Sequence, residues 1–572
     1  MNAMKTLLPA LGIAALLIFS TADVNAQSTS LGDVNLDNSV DFLDIGPFID
    51  VLASQGFQAE ADIDQNEVVN FLDIAPFIGL LSSDDPFGAG EFEGAVYTMT
   101  NDPRGNGVLA FGRRDNGTLE FLGIVATGGN GTGIAGTGFP FFDTGDGLDP
   151  LQSTNAIELS DDRKLLFVVN GGSASVSTFK IGDDLCPELV SVANVTGNGP
   201  NSLAYRDGVL YVSTVDADGV FAGSLGEAGT VEAFTVTEGV LSPIPGSVRF
   251  LSNRPAGIDV TPDGRFLVVT SLNAGSSGGP GPSFAENLES VTVFGLARSG
   301  ELSLQALSSG ISTSQADDPA RASTIALGLE TIEAGGRNFV VVTEARSVEL
   351  PDGTPVPTLT PGFPGPGIIP GFQPGGVSSW EVLPDGELVL IDSVPVNDDE
   401  TDTTSLGTGQ SATCWVQFAA DGKTFWVVNT INSTISSFRF NLGDIEIISE
   451  VVAQGDGLGP EVIDEVVPPE PSGSATPAVT CDPGTGVLGP GVDADTDGGA
   501  PNALLGGTDG FLDFRISDDG RFIYQTLGLA RGIYVYRVDP ADENGVVSGL
   551  TLIQKVVNGE LPAFNIQGIA AF

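Results

Sequence analysis

The feature that constrains this chain most is a strand cycle that recurs from about Gly94 to the C-terminus. Each cycle joins an inner strand, a tight turn and a second strand, as in N-A-I-E-L-S-D-D-R-K-L-L-F-V-V-N. A single copy cannot bury its apolar face, so the copies are expected to stack into a closed ring. Inner strands are predicted to begin near Asn155, Asn201, Gly257, Thr324, Cys414 and Gly510. The pattern predicts a mainly β fold, a seven-bladed β-propeller.

The seventh inner strand is predicted at the end of the chain. Three strands follow Gly94 without an inner strand before them, whereas I-Q-G-I-A-A-F at residues 566–572 has the inner-strand pattern. The C-terminal strand is therefore expected to complete the first blade and close the ring. Closure of this kind removes exposed sheet edges, which otherwise invite aggregation.

Long insertions are predicted to distinguish the two rims of the ring. They fall after second strands or between blades, at residues 126–153, 214–229, 272–288, 345–376 and 453–500. Strands within a blade are antiparallel, so all these connections should lie on one rim, where functional loops are often found. Two acidic stretches within them are either solvated loops or additional calcium sites, namely Asp143, Asp146 and Asp149, and D-A-D-T-D at 493–497.

Charge and composition exclude several kinds of function. The formal net charge is −52 with 22 Lys and Arg residues, so nucleic acids and anionic membranes are unsuitable partners and calcium is a natural counter-ion. The chain contains no histidine, which removes Ser-His-Asp catalysis, Cys-His catalysis and His-ligated zinc. Carboxylates, Arg, Lys, Tyr and metal-bound water remain as catalytic groups. We expect no organic cofactor.

The N-terminus has the pattern of an export signal. Lys5 precedes an apolar stretch at residues 7–19, and V-N-A at 24–26 offers small residues for cleavage before Gln27. The apolar stretch is shorter than the roughly 20 residues that cross a bilayer, so no transmembrane segment is expected. We predict a secreted, extracellular or periplasmic protein, with cell-surface association as one alternative. The predicted divisions are a signal peptide (1–26), a calcium-binding domain (27–84), a linker (85–93) and the propeller (94–572).

The three cysteines, Cys186, Cys414 and Cys481, allow at most one internal disulfide. The pairing is open from the sequence, with Cys414–Cys481 as one alternative. Cys414 lies in the apolar strand T-C-W-V-Q-F, which favours a small buried side chain.

A duplicated acidic loop precedes the propeller, with its second copy 29 residues after the first. The first loop supplies Asp33, Asn35, Asp37, the Ser39 carbonyl, Asp41 and Asp44. The second supplies Asp62, Asp64, Asn66, the Val68 carbonyl, Asn70 and Asp73. Calcium takes six to eight oxygen ligands, and alternate positions direct such oxygens toward one point. A solvated acidic turn is the alternative, but the repeated F-L-D-I-x-P-F-I helix after each loop favours two Ca²⁺ sites.

These loops and helices resemble a type I dockerin over about residues 32–82. The resemblance implies two calcium ions and a fold that depends on them. It also implies docking to a cohesin-like scaffold protein, in systems that often handle polysaccharides.

The propeller part resembles the secreted branch of the lactonase-type seven-bladed propellers, which include bacterial 6-phosphogluconolactonase and fungal carboxymuconate cyclase. The resemblance covers about residues 94–572 and is carried by segments such as V-Y-T-M-T-N-D, A-T-G-G-N-G-T-G and C-W-V-Q-F-A-A-D-G-K. It implies hydrolysis of a lactone. The His-dependent chemistry of the cyclases does not carry over, and a cytosolic phosphorylated substrate fits poorly with export and an acidic surface.

Candidate catalytic residues follow from this resemblance. Glu344 and Arg346 follow the apolar strand F-V-V-V-T on the predicted insertion-bearing rim, near the place where such propellers have a channel mouth. In an ester hydrolase Glu344 would be the general base, and Arg346 or Arg254 would hold a substrate carboxylate or the oxyanion. A plain surface ion pair is the alternative interpretation.

Several further residues are predicted at the same mouth. Asn101, Asn170 and Asn429 end second strands, so their amides either contact substrate or cap the tight loops that follow. Arg321 and Arg531 lie in loops of this rim as candidates for an anion pocket.

Three classes of function remain open on the sequence. The first is a secreted, dockerin-bearing hydrolase of a lactone or related cyclic ester, docked to an extracellular scaffold. The second is a non-catalytic propeller that binds a glycan or protein. The third is a structural component of an extracellular complex.

Overall fold

A computed structural model of the chain describes most of the propeller and small parts of the N-terminal region. The described residues are 34, 45–54, 56–58, 61, 68–70, 74, 92–132, 151, 153–216, 229–251, 254–271, 290–310, 325–345, 375–396, 410, 412–430, 432–455, 510–528, 532–541, 547, 549–556 and 566–572. The chain divides into two compact units, Met1–Glu91 and Phe92–Phe572.

The first unit contains one described helix, α1 (Ile45–Ser54), which includes the G-P-F-I part of the first predicted helix. Pro47 lies in the first turn of α1, where its missing N–H costs no hydrogen bond. Phe48 on α1 packs with Val34, Ala61 and Val69 in a small apolar cluster.

The second unit is built almost entirely of β-strands. In chain order they are β1 (Gly94–Met99), β2 (Gly107–Arg113), β3 (Leu119–Ala126), β4 (Ile157–Leu159), β5 (Leu165–Asn170), β6 (Ser175–Ile181), β7 (Pro187–Asn194), β8 (Asn198–Arg206), β9 (Val209–Asp216), β10 (Thr230–Thr237), β11 (Val240–Pro243), β12 (Arg249–Phe250), β13 (Pro255–Val260), β14 (Phe266–Ser271), β15 (Val291–Gly295), β16 (Ser308–Gly310), β17 (Ile325–Ala334), β18 (Arg337–Ala345), β19 (Gly376–Val382), β20 (Leu388–Pro395), β21 (Thr413–Phe418), β22 (Thr424–Asn429), β23 (Thr434–Asn441), β24 (Asp444–Gln454), β25 (Phe511–Ile516), β26 (Phe522–Leu527), β27 (Gly532–Val538), β28 (Leu550–Val556) and β29 (Gln567–Ala571).

These strands form seven antiparallel sheets, which are the blades of a β-propeller. Blade 1 has the order β29-β1-β2-β3, and blade 2 has β4-β5-β6-β7. Blade 3 contains β8 to β12, and blades 4 to 7 each take four consecutive strands from β13 to β28. The inner strands β29, β4, β8, β13, β17, β21 and β25 each contact the next, and β25 returns to β29. The predicted seven-bladed propeller is confirmed.

Apolar side chains of neighbouring blades form the core. Phe111 of blade 1 packs with Tyr524 of blade 7, and Val268 of blade 4 packs with Val342 of blade 5. Alternation along each strand directs these side chains out of both faces of the sheet. Full burial of such a side chain stabilises the fold by about 1.5 to 3 kcal/mol. Burial on both faces therefore explains why the second strands read as nearly continuous apolar runs.

The C-terminal strand closes the ring, as the sequence predicts. In β29, Ala571 pairs with Val96 and Ala570 pairs with Tyr97 of β1. The Phe572 amide donates to the Ala95 carbonyl at 3.1 Å, and Arg113 Nε donates to the Phe572 carbonyl at 2.9 Å. The two ends of the propeller domain are thus hydrogen-bonded in one sheet.

The two rims differ in their connections. On one rim, which we call the turn rim, short hairpins follow the inner strands, and several are held by an aspartate that accepts a hydrogen bond from the amide two residues later. Asp263 accepts from the Arg265 amide at 3.1 Å, and Asp519 accepts from the Arg521 amide at 3.0 Å. The strands that border the five predicted insertions end and begin on the opposite rim, which we call the loop rim.

No helix among the described residues is both long and apolar enough to span a bilayer.

Substitution of Gly568 by alanine should weaken the closure between blades 1 and 2. Gly568 has a φ of 63°, and an added Cβ would lie 3.1 Å from both Ala156 Cβ and the Ile157 amide nitrogen. Gly208 also has a positive φ, 83°, but an added Cβ there meets nothing within 4 Å. Both substitutions cost about 1 to 2 kcal/mol of backbone strain, and Gly568→Ala should cost about 1 to 3 kcal/mol more from crowding. Urea unfolding measures the difference, and equal losses would contradict it.

Candidate functional site

Charged side chains occupy one level of the tunnel that the inner strands enclose. Glu158, Asp259 and Arg515 each pair with a residue nine positions further along the chain, in the second strand of their blade. Glu330 takes the corresponding place in β17, opposite Val341. The flanking residues, such as Ile157 and Leu159, are buried between blades, so alternation turns the charged side chains toward the axis.

Asp513 lies in a stretch of β25 where the register shifts, between Phe511 and Phe514, and its carboxyl is close enough to Arg515 for that charge to lower its pKa. We call the five ionisable residues Glu158, Asp259, Glu330, Asp513 and Arg515 the tunnel cluster. It comprises four carboxyl groups and one guanidinium.

Arg515 links three inner strands around the closure. Its Nε donates to the Ile569 carbonyl of β29 at 3.2 Å, and its Nη2 donates to Asn155 Oδ1 at 2.8 Å. Nη2 also lies 3.2 Å from Glu158 Oε2 in an ion pair. The side chains of Arg515 and Glu158 remain 20% and 25% exposed, so solvent reaches this pair. Arg515 thereby connects blade 7 to blade 2 across the strand that closes blade 1.

Two other carboxylates are held by the neighbouring blade. Asp259 Oδ2 of blade 4 accepts hydrogen bonds from the Thr331 amide and hydroxyl of blade 5, both at 2.8 Å. Glu330 Oε2 of blade 5 accepts from the Phe418 amide of blade 6 at 2.6 Å. These bonds run along the ring, each from one blade to the next.

Burial within the ring shifts the acidity of the cluster toward neutral pH. Burial is the main cause that raises the pKa of Glu158 to about 7, and the nearby charge of Arg515 counteracts only part of it. Burial and the charge of Asp259 raise the pKa of Glu330 to about 8. Burial also raises the pKa of Asp513 to about 6, and it raises that of Asp259. Carboxyl groups with such values can exchange protons at physiological pH.

A tryptophan crosses the tunnel on the loop-rim side of the cluster. Trp415 of blade 6 donates from Nε1 to the Ser153 carbonyl, before blade 2, at 3.2 Å. The Thr154 amide donates to the Ala256 carbonyl of blade 4 at 3.0 Å. Chain from blade 2 therefore lies across the loop-rim end of the tunnel, and we infer that the cluster is approached from the turn rim.

Two of the predicted catalytic residues, Glu344 and Arg254, lie on the loop rim. Glu344 is in β18, opposite Ala326 and Gly376, and has no accessible surface. Arg254 is buried just before β13 and donates from Nη2 to the Leu151 carbonyl at 3.5 Å. Arg346, Arg321 and Arg531 lie outside the described residues. The catalytic roles of these residues stay predictions.

The three predicted asparagines are buried, and their side-chain amides make hydrogen bonds within the fold. Asn101 Oδ1 accepts from the Thr132 amide at 2.9 Å. Asn170 Nδ2 donates to Ser177 Oγ at 2.7 Å, and Asn429 Nδ2 donates to Ser436 Oγ at 2.8 Å. The bonds of Asn170 and Asn429 span the loop that follows each second strand, whereas Asn101 bonds to a residue 31 positions away, and a substrate-binding role stays a prediction.

Of the predicted calcium ligands, only Val68 and Asn70 fall within the described residues. Asn70 Nδ2 donates to the Val68 carbonyl at 3.1 Å, so two predicted donors of the second loop lie together. This bond is made by the amide nitrogen of Asn70, so it does not test ligation by oxygen, and calcium binding at this loop stays a prediction. Elsewhere in the described part of the chain, no group of three Asp, Glu or Cys residues is arranged to hold a metal ion.

The cysteines differ in state. Cys186 is disulfide-bonded, and Cys414 is a buried thiol, as the apolar strand around it predicts. Cys481, the remaining cysteine of the chain, lies outside the described residues.

Sequence reasoning missed the tunnel cluster. The available signal was a charge at the centre of otherwise apolar inner strands, in I-E-L, I-D-V and F-R-I, at a constant distance from the second strand. Within a single strand, a charged residue between two apolar ones is also typical of a strand whose other face is exposed to solvent, so one strand alone does not reveal the cluster. Comparison of the repeats at equal register would have placed these residues on one level.

No protein-family profile and no curated protein matches the chain. Among solved structures, a candidate 6-phosphogluconolactonase from Bacteroides uniformis is 12% identical, with a TM-score of 0.48, and the match covers 84% of this chain and 100% of that one. A similar candidate from Bacteroides fragilis is 11% identical, with a TM-score of 0.45 and coverages of 85% and 100%. A protein from Lactobacillus plantarum is 13% identical, with a TM-score of 0.48 and coverages of 84% and 99%. Neither activity nor substrate is transferred from these structures to this chain.

The free energy of unfolding should fall as pH rises from about 5 to 8. A carboxyl whose pKa is raised by folding stabilises the protein while protonated, and this contribution is lost as pH rises through the folded value. The folded values here are about 7 for Glu158, 8 for Glu330 and 6 for Asp513. Urea unfolding at several pH values measures the slope.

The control for this slope is the double variant Glu158→Gln, Glu330→Gln, which should flatten it because two titrating groups are removed. Repulsion among the many surface carboxylates is unchanged in this variant. Carboxyls with a lowered pKa, such as Asp162 and Glu381, titrate below this window. An unchanged slope in the double variant would contradict the assignment to the tunnel cluster.

Replacement of Arg515 by methionine should destabilise the propeller by about 3 to 5 kcal/mol at pH 8, because it leaves buried carboxylates without their counter-charge. The loss should be smaller at pH 5, where Glu158 and Glu330 are protonated. The control is Arg439→Met, which removes an ion pair with Glu446 whose side chains are 45% and 69% exposed. Such a pair contributes at most about 1 kcal/mol. Equal losses at both sites in chemical denaturation would show that the cluster is not electrostatically special.

Proposed function

We propose that this chain is an exported hydrolase of cyclic esters, with Glu158 as general base and Arg515 as the oxyanion-stabilising group. The observation that carries the proposal is a solvent-accessible carboxyl, with a pKa of about 7, 3.2 Å from a guanidinium inside the propeller tunnel. A base with this acidity is suited to proton transfer near neutral pH. The lactonase resemblance of the strand repeats supports the same reaction class.

In this proposal water attacks the carbonyl carbon of the lactone while the Glu158 carboxylate takes its proton. The carbonyl oxygen becomes an oxyanion, which a positioned guanidinium stabilises. Arg515 donates to described residues only through Nε and Nη2, so Nη1 remains for the substrate. The ring C–O bond then breaks, and the leaving oxygen receives the proton from Glu158. One lactone and one water give one hydroxy acid.

Glu344, with Arg346 or Arg254, is the competing catalytic set on the loop rim. A general base must come within hydrogen-bond reach of the proton it removes. Glu344 has no accessible surface in the described conformation, whereas Glu158 is 25% exposed. Accessibility therefore favours Glu158.

A non-catalytic propeller that binds a glycan or protein is the second candidate. It is favoured by the bonds that Asp259 and Glu330 accept from Thr331 and Phe418, since groups that join blades need no catalytic role. Absence of turnover on a broad lactone panel would support this candidate.

The proposal also includes export, two calcium ions and docking to a cohesin-like scaffold. Export is supported by the signal-like N-terminus and by the disulfide at Cys186, since structural disulfides persist in oxidising compartments. Calcium binding is supported by the duplicated ligand pattern. Docking is supported only by the dockerin resemblance of residues 32–82.

Glu158→Gln should lower kcat/KM for lactone hydrolysis by about 10²- to 10⁴-fold, the usual loss for a general base. In the parent protein the rate should rise with pH through about 7, because the base acts in its ionised form. Hydrolysis is followed by acid release in a pH-stat.

The control variant is Asp115→Asn, which changes an exposed carboxyl on the hairpin between β2 and β3 and should keep full activity. Glu344→Gln tests the competing site. If Glu344→Gln lost turnover and Glu158→Gln kept it, the general base would lie on the loop rim, and the tunnel mechanism would be overturned.

Native mass spectrometry of the exported full-length protein should show a chain that starts at Gln27 and carries two Ca²⁺ ions. Asp73→Ala should retain one ion, because it removes a ligand from the second loop only. Asp84→Ala, outside both ligand sets, should retain two. Two ions in Asp73→Ala, or none in the parent protein, would contradict the predicted sites.

A further inference from the structure

We propose that the tunnel cluster binds a primary ammonium group, so that the ligand of this site is an amine and the preferred substrate an ammonium-bearing lactone. This inference deepens the proposed function, because it names the ligand class of the same tunnel. It rests on the balance of charge in the cluster and on one buried acceptor, Asp513 Oδ2, without a hydrogen-bond partner among the described residues.

The cluster has an excess of negative groups. Glu158, Asp259, Glu330 and Asp513 face the tunnel from four different inner strands, and Arg515 is the cation that acts on all four. Arg163 and Asp161 also act on Glu158 from the turn rim, with opposite effects. An added cation would therefore stabilise the ionised carboxylates, whereas an anionic ligand would be repelled.

Asp513 supplies an acceptor that nothing in the described chain satisfies. This residue is only 5% exposed, and its Oδ1 accepts from the Phe514 amide at 2.9 Å. Its Oδ2 is buried and accepts no hydrogen bond from any described residue. Burial raises the pKa of this carboxyl to about 6, and the charge of Arg515 and the amides of Asn155 and Ile569 counteract only part of that shift, so the group is mostly ionised above this pH. A buried acceptor of this kind calls for a donor from a ligand.

An ammonium group suits this arrangement better than a metal ion or a hydroxyl. No three carboxylates of the described chain converge closely enough to hold a metal. An ammonium presents three N–H donors, one of which can bond to Asp513 Oδ2 at about 2.8 Å while water accepts from the others, so it does not need three converging carboxylates. A neutral hydroxyl could satisfy Asp513 Oδ2 but would leave the charge excess unchanged.

Binding of a cation should release protons, since it favours the ionised state of Glu158, Glu330 and Asp513. Affinity should therefore rise between pH 5 and pH 8. Arg515 opposes the incoming charge, but its engagement with Glu158 and the Ile569 carbonyl offsets much of that effect.

The test uses the full chain and ethylammonium as the probe, with 1-propanol as its neutral analogue and tetramethylammonium as a cation without N–H donors. Ligand-observed saturation-transfer NMR at pH 8 should show binding of ethylammonium only. Asp513→Asn should weaken binding by at least about tenfold, as expected for a lost charge-assisted hydrogen bond. Glu330→Gln is the second variant and should also weaken it, whereas Asp115→Asn, at an exposed residue of the hairpin between β2 and β3, should not. Equal binding of the three probes, or full binding by both Asp513→Asn and Glu330→Gln, would overturn the proposal.

Hydrolysis of γ-butyrolactone and of an ammonium-bearing γ-butyrolactone separates this inference from the function it rests on. Preference for the cationic lactone supports both. Equal rates would overturn the ammonium site and leave the hydrolase. Ethylammonium binding without turnover of any lactone would overturn the hydrolase and leave the ammonium site.

Discussion

The pairing of β29 with β1 is the constraint on which the rest of the molecule depends. The five residues of β29, near the C-terminus, supply the inner strand of the blade formed by residues 94–126. Every inner strand therefore has a neighbour on each side. Without that strand, blades 7 and 2 would face a gap and the inner strands would have no common axis. The level at which Glu158, Asp259, Glu330 and Arg515 meet exists only because the ring is complete.

The charged groups of the tunnel cluster lie where burial of charge costs free energy and where their hydrogen bonds restrict how the blades fit together. An ion pair in a partly desolvated site gains little net stability over apolar packing, but removal of one partner is strongly unfavourable. Arg515 reaches from β25 past β29 to Glu158, and Asp259 and Glu330 accept bonds from the adjoining blades. A shift of one residue in the register between neighbouring blades would break all of these hydrogen bonds together. The same groups thus restrict blade register and leave ionisable oxygens on the axis.

The repeat alone was sufficient to predict the blades, the closing strand and the rim that carries the insertions. These features depend on local periodicity and on antiparallel connectivity, both of which are visible in one strand cycle. The tunnel cluster was not predicted, because Glu158 and Arg515 are 357 residues apart and meet only through closure. The asparagines at second-strand ends were recognised by position, but only the partners of Asn170 and Asn429 show that their amides are engaged in turns. The predicted loop-rim base, Glu344, was placed on the correct strand without any sequence signal for its complete burial.

The indole of Trp415 contacts the segment that lies across the loop-rim end of the tunnel, at the Ser153 carbonyl, so the inferred approach to the tunnel cluster is from the turn rim alone. A molecule that enters the tunnel from that rim must leave by the route through which it came. Exchange is then single-file, so one occupant has to depart before its successor can arrive. A departing molecule in the tunnel would exclude the incoming one, and its residence time would set an upper limit on the rate of turnover.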